Sequence, residues 1–227
     1  MTALAVAPVA ARLLVRPLGR RAYGEVLALQ ERLVADVAGG AAREQVLLLE
    51  HPPLYTLGRG ADSADLRAAP QALGVPVFRV GRGGGATFHG PGQLVAYPIV
   101  RLRAGGRDVH GYVRALERAL VATCAAFGIT AEAPPEQTGV WVGARKIGSI
   151  GIGVRRGVAY HGIALNISTD LSYFTPIIVC RSAELALITM ADLLGTPPPL
   201  AAVGRAFAGA LAAQLGAALE GAETPWP

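Results

Sequence analysis

Between two β-branched runs, Val75–Val80 and Leu94–Val100, the chain reads GRGGGATFHGPGQ. Seven of the thirteen residues from Gly81 to Gln93 are glycine or proline. Glycine loses more conformational freedom on folding than any other residue, so it is kept where backbone takes φ > 0 or approaches something closely. The segment joins strand to strand. A dinucleotide fingerprint or a P-loop instead needs a helix N-terminus facing the phosphates, and the P-loop a Gly-Lys-Ser/Thr ending. The backbone of this segment is built to meet something else.

The flanking pattern predicts an α/β (α+β) domain, with one large mixed sheet and helices packed against it. Arg12–Leu18 reads as a strand. Val26, Leu29, Leu33, Val34 and Val37 recur at helical spacing over Tyr23–Ala38, and Gly39-Gly40 end that helix. Two apolar runs follow, bent apart by Pro52-Pro53. Val109–Phe127 is a second amphipathic helix. Val140–Val142, Lys146–Val154 and Val158–Ile167, separated by glycine-containing turns, read as an antiparallel meander. Pro199–Leu219 reads as a C-terminal helix, and a small subdomain from about Ala183 is an open alternative to one domain over residues 1–227.

Composition narrows the class. With 52% hydrophobic and 16% charged residues the chain can bury a sizeable core. Every apolar run is interrupted by a charge or a helix breaker before eighteen residues, which argues against a membrane span. The first twenty-one residues lack a basic segment ahead of their apolar part and read as a leader into a strand, not a secretion signal. Reduced thiols and a cytoplasmic location are expected for Cys124 and Cys180, which match no metal-ligand spacing. The net charge of +5 comes from scattered arginines without interleaved aromatics, which fits an acidic protein partner better than nucleic acid.

Three residues have both a structural and a chemical reading. Lys146 lies in an apolar strand pattern, where alternation puts it on one face with Gly148, Ile150 and Ile152. It is either an edge guard against aggregation or a desolvated ammonium able to act on a neighbour. His161 is either a satisfied core histidine or part of a groove, since Gly162, Ala164, Gly148 and Gly151 leave space in a sheet that should be packed. Cys180, beyond a proline-containing loop, is either a small buried hydrophobe or a displayed nucleophile. Cys124, mid-helix between alanines, fits the buried reading.

Together these stretches resemble the lipoyl(octanoyl) transferases, which move an octanoyl group from acyl carrier protein to a lipoyl-domain lysine. RGGGATFHGPGQLVAYPI is similar to one of their segments, GVWVGARKIGSIGIGVRRGVAYHGIALNI to two more, and Cys180 follows at the spacing of their nucleophile. The likeness runs from about Arg12 to Asp192. Two departures stand out. Val179 and Arg181 flank Cys180 where the family has proline and glycine, and Gly85 replaces a residue that is commonly polar.

The resemblance implies a fold shared with biotin and lipoate protein ligases. It makes Cys180 the acyl-accepting nucleophile and Lys146 the group that lowers its pKa or handles the proton. It lines the acyl site with Arg82, Gly83, Gly84, Gly85, Ala86, Thr87, Phe88 and His89. Ser149, Ile150 and Gly151 join them from one strand, Gly162, Ile163 and Ala164 from the next, with His161 in support. No cofactor and no metal are implied. The implied donor is octanoyl-acyl carrier protein; the implied acceptors are lipoyl domains of 2-oxoacid dehydrogenase E2 subunits and the glycine cleavage H protein. Two rival readings stay open: an ATP-dependent lipoate-protein ligase and a non-catalytic lipoyl-domain or carrier-binding module.

Overall fold

The computed structural model describes residues 11–62, 65–68, 70–102, 108–178 and 186–227. The first strand, β1 (Ala11–Arg20), leads into helix α1 (Tyr23–Gly39), which stops where Gly40 takes a left-handed φ of 79°. Next come β2 (Gln45–Glu50) and β3 (Leu54–Leu57), with Pro52-Pro53 between them. The bend does more than turn the chain: it carries it from one sheet to another. A seven-stranded sheet is ordered β10-β1-β2-β6-β9-β8-β7, and a separate three-stranded sheet is ordered β4-β3-β5. Here β4 is Val77–Arg79, β5 Ala86–His89, β6 Gln93–Arg101, β7 Val140–Val142, β8 Arg145–Arg155, β9 Val158–Asn166 and β10 Ala217–Glu220.

The large sheet is mixed, as expected: β1 runs parallel to β2 and β10, and the rest pair antiparallel. Its middle strands are buried on both faces, which is why β2 and β6 read as nearly unbroken apolar runs. Period-two alternation divides them. Val46, Leu48, Leu94 and Ala96 face α2 (Val109–Ala126) and α4 (Leu200–Leu215), joining Leu116, Leu120, Phe207 and Leu211. Leu47, Leu49, Val95 and Ile99 face α1, meeting Val26, Leu33, Val34 and Val37. Each Val, Leu, Ile or Phe among them, buried fully, contributes about 1.5–3 kcal/mol.

Two expectations need correction. The glycine-rich segment is not one loop, because Ala86–His89 inside it is β5, paired antiparallel with β3. The C-terminal helix is shorter than Pro199–Leu219: Gly216 at φ 62° ends it, and Ala217–Glu220 turn back to pair with β1. A short helix, α3 (Met190–Leu194), opens on a capping box between Thr189 and Asp192. Ala183, the suggested subdomain boundary, lies outside the described residues. From Ala186 onward the described chain shares the core under α2 and extends the same large sheet.

Candidate active site

A cavity of about 140 Å³ opens between the α1 side of the large sheet and the glycine-rich segment. Two glycine-rich stretches shape its rim by packing on each other. A Cβ on Gly58 would lie 2.4 Å from the Gly84 carbonyl oxygen, and one on Gly151 would lie 3.0 Å from Cδ of Arg82. Part of what the loop's backbone meets is therefore the protein itself. The same holds for Gly162, whose Cβ would fall 2.2 Å from the Ala96 carbonyl, and for Gly148, which packs on Leu120, Val140 and Leu165. At these glycines strands and side chains close up, while Gly151 and Gly162 also line the cavity.

Lys146 enters this cavity because β8 has an extra residue. Val140 pairs with Gly148 but Trp141 with Lys146, so Ile147 is bulged. The bulge breaks the simple alternation. Ile147, Ile150 and Ile152 pack with the core under α2, whereas Lys146 shares the cavity wall with Ser149 and Gly151. Nor is Lys146 an edge guard. It is 2% exposed, β7 covers it through Trp141, and its backbone is bonded, accepting from Ile188 N–H and donating to the Ala186 carbonyl.

The ammonium is held from several directions. Nζ donates to the Thr138 carbonyl at 2.9 Å and stands 4.6 Å from the centre of the Trp141 ring. Gly139 at φ 127° lies against it, and a Cβ there would come within 2.6 Å of Cε and 2.9 Å of Nζ. No other residue type fits that position. The loop is itself anchored to α2: buried Glu117 accepts from Gly139 N–H at 3.1 Å and from Arg114 at 2.7 Å, while Arg114 also donates to the Pro135 carbonyl.

The other polar groups in and behind the wall are buried, and the imidazoles among them are neutral beside one arginine. Arg82, only 8% exposed, donates to the hydroxyl and carbonyl of Thr56 and to the Gly83 carbonyl. Burial pushes His89 down to about 3, helped by His51 and Arg82. Burial and then Arg82 push His161 to about 3, and burial takes His51 to about 4. All three imidazoles are neutral at pH 7, so each has one donor and one acceptor nitrogen. The partners fix two tautomers. His51 Nδ1 must donate to the Arg21 carbonyl at 2.7 Å, leaving Nε2 to accept from the Tyr97 hydroxyl. His89 Nδ1 donates to Gln93 Oε1 at 2.8 Å, because the Gln93 amide nitrogen is given to Asn166 and the Phe88 carbonyl. Burial also raises Tyr23 to about 12 and Tyr97 above the ordinary phenol range.

Most residues of the matched motifs converge on this one cavity. Arg82, Gly84, Gly85, Ala86, Thr87 and His89 line it from the glycine-rich segment, and Lys146, Ser149, Ile150 and Gly151 from β8. His161, Gly162, Ile163 and Ala164 line it from β9. Two do not reach it. Phe88 points to the other side of β5 and stacks on Tyr173 at 4.6 Å, and Gly83 pairs its N–H with the Ile152 carbonyl. Cys180, with Val179 and Arg181, lies outside the described residues. Its described flanks are tied down: Ile178 N–H donates to the Asp65 carbonyl, and Ala186 bonds the backbone of Lys146. Sequence reasoning missed Tyr23, Tyr97 and Thr138. Tyr97 had a weak signal, standing just before a proline in a strand.

The sequence profile of the lipoyl protein ligase A/B catalytic domain matches residues 22–212. The chain belongs to that family. Among its relatives are the octanoyltransferase of Geobacter metallireducens, 44% identical over 87% of this chain and 91% of that one. The octanoyltransferase of Solibacter usitatus is 47% identical over 85% and 88%. The family fold is shared with a bipartite lipoate protein ligase of Thermoplasma acidophilum at a TM-score of 0.68 and 18% identity, over 93% of this chain and 86% of that one. A biotin protein ligase of Aquifex aeolicus superposes at 0.52 with 11% identity, over 90% and 70%. The expected ligase-like architecture is thus the one found. Within the family's matched span lie the cavity, Lys146 and its Thr138–Gly139 support. Among the described residues no group of His, Cys, Asp or Glu is placed to hold a metal ion, and no helix is long and apolar enough to cross a membrane.

Proposed function

We propose that this acyltransferase moves an octanoyl group from acyl carrier protein to a lysine of a lipoyl domain through a thioester on Cys180. The single observation that carries the reading is a buried ammonium, Lys146, in the wall of a cavity lined mostly by apolar and glycine atoms. Relatives named octanoyltransferase, at 44–47% identity over most of the chain, supply the group transferred. Cys180 is joined to the described chain on both sides. It is two residues from Ile178, within about 7 Å of chain, and six from Ala186, which bonds Lys146.

The chemistry balances without a nucleotide. The Cys180 thiolate adds to the donor thioester carbonyl, and the carrier thiolate leaves and takes up a proton. One thioester replaces another, so the step is close to isoenergetic. The acceptor amine then adds to the acyl carbon, loses a proton, and expels the Cys180 thiolate as the amide forms. A free cysteine, with pKa about 8.5, is mostly thiol at neutral pH, so the nucleophile gains from a cation beside it. In this reading Lys146 favours the thiolate by charge and receives the proton of the incoming amine. Burying the acyl chain, at about 0.8 kcal/mol per CH₂, supplies roughly 5 kcal/mol for recognition.

Incubation with octanoyl-acyl carrier protein tests this by mass spectrometry. One octanoyl mass should appear on the peptide bearing Cys180 and vanish in Cys180→Ala. Label on Cys124, or full transfer by Cys180→Ala, would remove the nucleophile assignment.

A further inference from the structure

One residue of the cavity wall has a strained backbone. His161, in the middle of β9, has φ 57°, a left-handed value that few non-glycine residues keep and that breaks an extended strand. Alternation would place it with Ala159, Ile163 and Leu165, all in the core under α2 and α4. Instead its ring lies 4.4 Å from that of Tyr160 and 6.2 Å from that of Tyr97, on the opposite face and in the cavity wall.

The neighbouring strand explains where the ladder gives way. Ala96 pairs with Ile163 and Val100 with Ala159 in one unbroken register, which sets Pro98 opposite His161. Proline has no N–H to give. The His161 N–H turns away from the ladder and donates to Oε1 of Gln30, a fully buried residue of α1, at 2.8 Å. The opposite amide orientation would set two donors against each other. His161 is 2% exposed, and among the described residues its Nε2 has no partner. Strain and an unmet polar atom therefore fall on one ring in the cavity wall. In β8, Ile152 pairs with His161, six positions along from Lys146, and both His161 and Lys146 line the cavity. An acyl chain with its carbonyl at Lys146 therefore runs its methyl end toward His161.

We propose that Gln30 is a positioning residue for acyl-chain selection: by holding the His161 amide it keeps the imidazole out of the core and against the far end of the bound chain. The proposal rests on the acyl reading of the cavity. It assigns Gln30, which does not line the cavity, an effect on which chains fit.

Hexanoyl, octanoyl, decanoyl and dodecanoyl thioesters of the carrier protein serve as donors for wild type, Gln30→Leu, Gln30→Glu, His161→Gly and the Gln30→Leu/His161→Gly double variant. Gln30→Leu should raise the dodecanoyl-to-octanoyl ratio of kcat/KM at least about tenfold, chiefly through KM. Gln30→Glu, which keeps a carbonyl oxygen at the same reach, should leave the ratio within about threefold of wild type. The double variant should match His161→Gly, because glycine accepts this φ unaided. That pair also answers the question if Gln30→Leu alone does not fold. An unchanged ratio in folded Gln30→Leu, or a further rise on adding Gln30→Leu to His161→Gly, overturns the proposal. Independently of activity, the Cα and Cβ chemical shifts of His161 report the sign of φ, which should turn negative in Gln30→Leu. Positive φ retained there also overturns it. A wild type that transfers no acyl group, with the φ switch still seen, overturns the acyl reading and leaves the hold standing.

Discussion

The two faces of the large sheet share one backbone and differ in what they bury. Under α2 and α4 the sheet packs Leu, Val, Ala and Ile against Leu116, Leu120, Phe207 and Leu211. On the other face α1 covers part of the sheet with Val26, Leu33, Val34 and Val37. The remainder of that face lies in and around the cavity, with Lys146, Arg82, Gln93, Asn166 and three neutral histidines. Burying such groups gains little stability even when they are paired. Their gathering on one face fits the proposal that this face serves the chemistry. The comparison predicts that substitutions on one face cost activity and those on the other cost stability.

The sharpest break of that comparison is Lys146→Met. If Lys146 serves both nucleophile activation and proton transfer, transfer should fall about a thousandfold. Stability should stay within about 1 kcal/mol of wild type, because an apolar side chain replaces a buried charge. A urea melt beside a transfer assay reads both. Lys146→Arg should not rescue transfer, as guanidinium keeps its proton and has a different shape.

Acid should attack the polar face next. His51, His89 and His161 have folded pKa values of about 4, 3 and 3, below the ordinary 6.5. As pH falls from about 6.5 towards 4 the unfolded chain takes up protons that the folded one refuses. Stability present above pH 6.5 is therefore lost on acidification, at up to about 1.4 kcal/mol per pH unit for each histidine. Urea melts at pH 7, 6 and 5 should show midpoints falling steadily. A flat midpoint over that range would mean that the imidazoles are not buried neutral.

Leu120→Ala probes the apolar face. It should cost roughly 2–5 kcal/mol of stability by leaving a cavity, while the folded protein keeps kcat within about threefold. A smaller effect is expected of Thr138→Ala, because Lys146 bonds the backbone carbonyl there and not the side chain. Transfer within about threefold of wild type would bear that out.

How much of this was legible in the sequence follows the range of the interactions involved. α1 and the β7–β9 meander could be read because apolar spacing and glycine-containing turns are local signals. β5 could not, since Ala86–His89 is held as a strand by β3, thirty residues earlier, in a run whose glycines say loop. The bulge at Ile147 and the turned backbone of His161 were hidden for the same reason: each is set by a partner strand, β7 or β6. Strict alternation therefore put Lys146 on the wrong face, and it says nothing of the turned ring of His161. The candidate site was legible through motif resemblance, which found most of the cavity wall but also included Phe88, whose ring the pleat sends the other way.

The measurement that bears most directly on the account is the pH profile of Cys180 alkylation by a small haloacetamide, in wild type and in Lys146→Met. If Lys146 serves Cys180, wild type should react at a lower pH, and Lys146→Met should move the profile up by about one pH unit or more. Superimposable profiles, with octanoyl transfer undiminished in Lys146→Met, would contradict it and leave the buried ammonium without a part in the chemistry.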